Sequence, residues 1–347
     1  MNLTTIGLDI AKTVFQLHGV DRNGKPVLRK QLKRNQVLAC FANLPPCLIG
    51  LEACAGAHYW ARELIKQGHD ARLISPQFVK PYVKGNKNDA NDAEAICEAV
   101  SCPAMRFVPL KSVDQQAIQM LHRIRSGLIK DRTALANRIR GLLGEYGIVV
   151  AVGLAQLRRQ LPELLEAAEN GLPPMARQLF AELQGQLIAL DQRVTDYDGK
   201  IQVLHQGSEV SRRLAGVPGI GPITATALLA SLGDGKSFSP ARQVAAWLGL
   251  VPKQASSGGK PKLLGISKRG DVYLRTLLIH GARAVVTTAA KKDDSQSRWI
   301  NDLVKRRNRN IAAVAVANKN ARVVWVLLTK AEAYVKPIPI QMEPSVQ

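Results

Sequence analysis

The sequence predicts an α/β domain followed by two mostly helical regions, and three observations carry that expectation. Short apolar and β-branched runs alternate with helical ones over the first part of the chain. Long helical periodicity takes over from residue 111, and glycine and proline punctuation returns past Gly207. A chain of 347 residues exceeds what one core ordinarily supports, which agrees with more than one compact unit.

Residues 3–9 (LTTIGLD), 13–20 (TVFQLHGV) and 26–32 (PVLRKQL) are short, rich in apolar and β-branched side chains, and parted by polar turns such as Asp21–Gly24. They read as a meander of three strands. A helix near 34–43 follows, then a buried strand at 47–53 (CLIGLEA), a helix at 58–67, a strand at 71–75 (ARLIS) and a helix at 89–100 (DANDAEAICEAV). The succession βββαβαβα is the order of the RNase H-like fold.

From residue 111 onward, Leu121, Ile124, Leu128, Leu135, Ile139 and Leu142 fall on one helical face. Pro173 and Pro174 interrupt the run. The next helix carries Phe180, Leu183, Leu187, Leu190, Val194, Tyr197, Ile201 and Leu204 at alternating spacings of three and four, the seam of a coiled coil. A seam does not name its partner, so it serves either pairing between chains or a hairpin within one. The expected divisions are 1–108 for the α/β domain, 109–207 for the α-helical coiled-coil middle, 208–335 for a mostly α-helical C-terminal domain, and 336–347 for a disordered tail.

Composition narrows the function. A net charge of +21 and a pI of 10.1 exceed what solubility requires and point to a polyanionic partner, nucleic acid before membrane. Against the membrane, no run reaches about 18 consecutive apolar residues, and Asp9 interrupts the start where a signal peptide needs an apolar stretch. The expected location is the cytoplasm. Five cysteines (Cys40, Cys47, Cys54, Cys97, Cys102) lack the paired spacings of zinc sites and read as reduced, mostly buried thiols.

Four acids form the candidate chemical centre. Asp9 ends the first expected strand and Glu52 the fourth, which brings distant carboxylates to one sheet edge. Asp89 and Asp92, three apart, share a helical face. Hard oxygen ligands of this kind suit Mg²⁺ or Mn²⁺ and phosphoryl transfer, the chemistry of nucleases and transposases. The competing reading makes Asp89 a helix cap and Asp92 a first-turn residue favoured by the helix dipole.

Two further segments bear on nucleic acid. Leu214–Ala227 (LAGVPGIGPITATA) has the pattern of a helix-hairpin-helix, in which Gly219, Gly221 and Thr224 would let backbone and helix N-terminus meet a DNA phosphate; an ordinary glycine-rich loop is the alternative. Residues 253–275 form a Gly/Ser loop flanked by Lys253, Lys260, Lys262, Lys268, Arg269 and Arg275, a basic surface for phosphates. A serine there has the chemistry to attack a phosphodiester, although such loops are more often merely flexible. Downstream, Lys291, Lys292, Arg298, Lys305, Arg306, Arg307 and Arg309 extend the basic surface, with Tyr273 and Trp299 as stacking candidates and a solvated helix face as the alternative.

Five blocks, GLDIAKTVFQLHGVD (7–21), LEACAGAHYWAR (51–62), NKNDANDAEAI (86–96), GVPGIGPITA (216–225) and WLGLVPKQASSGGKPKLLGISKRGDVYLR (247–275), resemble in sequence and order the DEDD transposases of the insertion-sequence 110 family, more narrowly its 1111 group, relatives of the Piv DNA invertases and of bridge-RNA-guided recombinases. The resemblance implies a RuvC-like nuclease domain whose DEDD acids map onto Asp9, Glu52, Asp89 and Asp92, a coiled coil, and a C-terminal transposase domain. It places the family's serine in the SSG motif, at Ser257, which directly precedes Gly258, with Ser256 as the alternative nucleophile. It further implies double-stranded DNA (element ends and target) as substrate, strand exchange through a serine–DNA intermediate, a non-coding guide RNA, and a homodimer assembling to a tetramer. The alternative is a RuvC-like structure-specific metal endonuclease that activates water and uses no protein nucleophile.

Overall fold

The computed structural model describes residues 3–86 and 88–335 and divides the chain into two compact units, Met1–Ser112 and Val113–Gln347. The tail expected at 336–347 lies outside the described residues.

The first unit opens with three strands, β1 (Leu3–Ile10), β2 (Val14–Asp21) and β3 (Pro26–Lys33), paired antiparallel as a meander. After a single 3-10 turn come α1 (Val37–Ala42), β4 (Leu48–Glu52), α2 (Ala57–Lys66), β5 (Asp70–Ile74), α3 (Pro76–Val79), α4 (Asp89–Ser101) and a two-residue strand, β6 (Phe107–Val108). The sheet order is β3-β2-β1-β4-β5-β6, with β1, β4 and β5 mutually parallel and β6 antiparallel at the edge. β6 and α3 went unforeseen because segments this short carry no periodicity. One face of the sheet buries Phe15, Phe41, Trp60 and Leu64 beneath α1 and α2, and Ile96 and Val100 of α4 are buried in a second cluster with Ile74.

Two glycines set how closely α4 lies on the sheet. A Cβ on Gly7 of β1 would sit 2.0 Å from the Ala93 carbonyl oxygen and 2.5 Å from the Cys97 nitrogen, and one on Gly50 of β4 would sit 2.7 Å from the Val100 Cβ. Any side chain at either position would push the helix off its seat.

The second unit holds α5 (Val113–Gly144), α6 (Leu154–Glu166), α7 (Pro174–Gly207), α8 (Glu209–Ala215), α9 (Pro222–Leu232), α10 (Arg242–Trp247), a hairpin of β7 (Pro252–Gln254) and β8 (Leu263–Ile266), then α11 (Val272–Ala289), α12 (Ser295–Arg306) and α13 (Arg309–Lys330). Pro173 caps α7 and Pro174 opens its first turn, where proline's missing N–H costs nothing. On α7, Phe180, Leu187, Val194 and Ile201 recur every seven residues and are buried. α5 packs along α7 within the same chain, and Arg125 to Asp198 and Arg132 to Asp191 tie the two helices together. Ile124 and Leu142, expected on the apolar face of α5, are instead exposed; Leu143 takes the buried place.

The helices set apart by sequence at 109–207 share one compact unit with the C-terminal part. His122 of α5 shows the joint: its ring nitrogens lie 3.0 Å from the Thr226 hydroxyl of α9 and 3.0 Å from the Tyr273 hydroxyl of α11. α13 has the length and apolar character of a membrane-crossing helix, but its Ala312, Ala313, Val316, Ala317, Ala321 and Val324 are fully buried in this unit's core.

Candidate active site

The sheet delivers its two acids by alternation. Side chains two apart on a strand share a face, so Asp9 stands on the face that Gly7 opens to α4, and Glu52 on the face that Gly50 opens. α4 continues the same two rows. Asp89 precedes Ala93 and Cys97 at intervals of four, and Asp92 precedes Ile96 and Val100 likewise, so both aspartates project from the helix end nearest the strand ends. One carboxylate oxygen each from Asp9, Asp89 and Asp92 lie within 4.8 Å of one another.

The helix cap is Asn88, whose side-chain oxygen accepts from the Asn91 N–H at 2.8 Å. This overturns the reading of Asp89 as the cap and leaves its carboxylate to the cluster. Asn91 in turn donates to the carbonyls of Lys84 and Asn86 at 3.1 and 2.9 Å, pinning the loop that enters the helix.

Asp9 bears the electrostatic cost. Burial, then the charges of Asp92, Asp89 and Glu52, push its carboxyl up from 3.8 to about 6. Like charges gathered at partial burial are unfavourable unless a cation or proton neutralises them. A hard, all-oxygen donor set whose own repulsion a cation would relieve suits a divalent metal. The Cys54 thiol, near Asp9 and Glu52, is pushed up by partial desolvation and by those two charges, although its residue is largely exposed.

In the second unit, the Gly/Ser loop is ordered as a β-hairpin. Gly258 and Gly259 both take positive φ (55° and 75°) between Ser257 and Lys260, which bridge as the last pair before the turn. Two successive positive-φ glycines are the signature of a type I′ turn, so the segment read from sequence as a Gly/Ser loop is a hairpin. The two serines differ. The Ser256 hydroxyl accepts from the Lys262 N–H at 3.0 Å and from the Gln254 side chain at 2.9 Å, so it braces the hairpin. Ser257 stands exposed at the tip, and Lys253, Lys260, Lys262, Lys268 and Arg269 are exposed around the hairpin and its exit.

Several expected nucleic-acid contacts are spent inside the protein. Arg275 is buried and donates to the carbonyls of Leu248 and Arg269 at 3.0 and 2.9 Å, bracing the chain that leaves β8 rather than meeting a phosphate. Thr224 is buried in α9. The close approach that Gly219 permits is already taken: a Cβ on Gly281 of α11 would lie 1.8 Å from the Gly219 oxygen, so backbone packs on backbone there. Gly221 remains exposed. The Tyr273 hydroxyl lies 3.0 Å from a His122 ring nitrogen and Trp299 has the Lys319 ammonium 4.6 Å from its ring centre, so both half-buried rings already have partners inside the protein. Of the five cysteines, Cys47 and Cys97 are buried, Cys40 and Cys102 half-buried and Cys54 exposed, all as free thiols.

What sequence reasoning missed is the positioning set, Gly7, Gly50, Ala93 and Cys97. Its signal was present as G-x-D at 7–9 and G-x-E at 50–52, small residues two places before each acid.

Comparison with known proteins agrees with this arrangement. A model described as transposase, of the DEDD type of IS110, matches residues 6–148, and the model for the transposase IS116/IS110/IS902 family matches residues 211–298. The chain is 55% identical over 335 residues to a protein of Pseudomonas aeruginosa named probable family 20 transposase, covering 96% of this chain and 99% of that one. It is 46% identical over 333 residues to the transposase for insertion sequence element IS1111A of Coxiella burnetii, covering 96% and 92%. It is 41% identical over 337 residues to the transposase for IS1328 of Yersinia enterocolitica, covering 96% and 99%. The chain belongs to the IS116/IS110/IS902 family and is a DNA transposase of the insertion-sequence kind.

Proposed function

We propose that the chain cleaves and exchanges DNA strands at an insertion-sequence end through a covalent serine–DNA link, with Asp9, Glu52, Asp89 and Asp92 as ligands for Mg²⁺ or Mn²⁺. The observation that carries this reading is the convergence of Asp9, Asp89 and Asp92 within 4.8 Å at the end of a parallel strand pair. The strand order β3-β2-β1-β4-β5, antiparallel over the first three and parallel thereafter, supports the RNase H-like, RuvC-like assignment of this unit.

Divalent metal, when bound, neutralises and polarises the phosphate oxygens at the carboxylates. The chain's own residues do the rest. The four acids hold the scissile phosphate's surroundings in place, and the exposed cations about the hairpin grip the neighbouring backbone. Ser257 Oγ gives up its proton and bonds to phosphorus as the P–O ester to deoxyribose breaks, and the released strand hydroxyl takes a proton. Attack by a hydroxyl of the exchanging strand reverses these bonds and returns the free serine. Ser257 is favoured over Ser256 because the Ser256 oxygen already serves two donors.

The rest of the proposal rests on family resemblance and on the net charge of +21: a non-coding guide RNA as a second nucleic-acid partner, and a homodimer assembling to a tetramer on DNA. The decisive experiment is denaturing electrophoresis of reactions with element-end DNA. Wild type leaves a detergent-stable protein–DNA adduct, Ser257→Ala leaves none, and Asp9→Asn neither cleaves nor links. Cleavage without adduct in both wild type and Ser257→Ala would assign the carboxylates to a metal endonuclease that activates water instead.

A further inference from the structure

At the sheet end that carries Asp9 and Glu52, but lined from the side that α2 covers, the first unit holds a groove of about 690 Å³ that no step above uses. Its walls include Thr13, Val14, Lys33, Arg34, Tyr59 and Trp60. The volume falls within the roughly 300–1,000 Å³ of small-ligand sites. Its place follows from topology: Thr13 and Val14 lie just past the end of β1 that carries Asp9, and Tyr59 and Trp60 sit in the first turn of α2, reached by the short loop that leaves Glu52.

The lining has a specific chemistry. The Arg34 guanidinium lies 5.1 Å from the Trp60 ring centre and 5.9 Å from that of Phe15, and it donates to the Lys12 carbonyl at 3.4 Å. These contacts anchor the guanidinium at the groove wall, where Arg34 stays exposed. Trp60 is only 3% exposed and serves as backing, whereas its edge-on neighbour Tyr59 is 43% exposed and open to a ligand. Lys33 and Arg34 of the lining, and Lys12 next to Thr13 in the chain, form no ion pair among the described residues, so their positive charges are unspent. An exposed aromatic, a planar cation and free ammonium groups suit a flat ring joined to a phosphate. A duplex cannot use the aromatic, because its base faces are already stacked.

We infer that this groove holds an unpaired nucleotide of the DNA strand engaged at the carboxylates, its base stacked between Tyr59 and Arg34 and its phosphate against Lys12 or Lys33. The inference rests on the proposed role of this unit in working on a DNA strand. Single-stranded DNA is the chosen occupant because DNA is what a transposase acts on, because an unpaired base offers the free face that the exposed Tyr59 ring can take, and because the groove lies at the same sheet end as Asp9 and Glu52.

The test is photocrosslinking of the full-length protein to a short oligothymidylate carrying one 5-iodouracil, with crosslinked peptides mapped by mass spectrometry. The expected result is a crosslink at Tyr59 that unlabelled oligothymidylate suppresses and equal-length duplex does not. Tyr59→Ala should weaken oligothymidylate binding about tenfold, within the roughly 1–3 kcal/mol of one base stack, and Tyr59→Phe should restore it. An oligomer abasic at every position should bind wild type and Tyr59→Ala alike. Crosslinks confined to other segments, or equal loss with abasic DNA, would overturn the inference, as would a Tyr59 crosslink to oligouridylate alone. Asp9→Asn separates the two ideas: a retained Tyr59 crosslink with lost cleavage supports both, whereas a lost wild-type crosslink with metal-dependent cleavage intact removes only the groove.

Discussion

The carboxylate end of the first unit and the serine hairpin of the second are built in opposite ways. Asp9, Glu52, Asp89 and Asp92 stand on strands and a helix whose packing at Gly7 and Gly50 leaves no slack, and the cluster holds like charges together against their repulsion. The hairpin around Ser257 has every residue of β7 exposed and most of β8, with nothing within 4 Å of a Cβ placed on Gly258 or Gly259. A metal site demands fixed ligand geometry, which a core can supply. If Ser257 attacks as proposed, a hydroxyl on so exposed an arm is free to follow its substrate, and its precision must come from the DNA that the arm would grip. The difference teaches that core packing fixes the carboxylates, whereas the proposed serine attack requires nucleic acid to order the hairpin.

The sharpest way to break this comparison is at the glycines. Gly7→Ala places a methyl 2.0 Å from a backbone oxygen, so it should cost several kcal/mol and abolish cleavage, as measured by thermal unfolding and nicking. Gly258→Ala, at φ 55° with open space around it, should cost only about 1 kcal/mol. Equal losses would show that the hairpin is as tightly specified as the sheet.

The next effect is in pH and metal. Asp9 has its folded pKa raised to about 6 from 3.8, so the stability tied to it is fully present below about 3.8 and is lost as pH rises through about 6. Above that range Asp9→Asn should unfold at higher temperature than wild type, by about 1–2 kcal/mol after allowing for partial solvent screening. Mg²⁺ should raise the wild-type melting temperature at pH 8, do less at pH 5 where protons occupy the site, and do little for Asp9→Asn. Metal-independent melting of wild type at pH 8 would count against the ligand set.

The second unit should answer pH with the opposite sign. Burial, then Arg125, lowers His122 to about 4 from 6.5, so its stabilising contribution is present above 6.5 and is lost as pH falls through about 4. Hydrogen exchange at pH 7 and pH 4.5 should show α5 and α9 losing protection on acidification while β1 and α4 do not, and His122→Gln should flatten the acid response. The smallest effect closes the comparison: Ser257→Ala should shift stability by less than about 0.5 kcal/mol while removing the adduct, because its side chain is exposed.

Much of this was legible from residues. The meander 3–33, the alternation from 47 to 100 and the four acids follow from periods of two and of 3.6 that the sheet and α4 obey, and Asp89 and Asp92 share a face because three residues are most of a helical turn. The seam from Phe180 to Ile201 was legible as well, but not its partner. Arg275, Thr224 and Gly219 misled because their residue types suit phosphate contact and internal packing equally. Only the neighbours Leu248, Arg269 and Gly281 decide between the two.

Sequence alone determined the local and the periodic: strand and helix order, the acids and their spacing, and the charge that calls for nucleic acid. Tertiary structure decided everything that depends on what stands opposite a residue. It made Gly7 and Gly50 the seats of α4, gave the cap to Asn88, brought α5 and α7 together, and buried Arg275. The physical reason is that periodicity fixes the direction in which a side chain leaves its own element, whereas burial, pKa and hydrogen-bond partners belong to pairs of surfaces far apart in the chain.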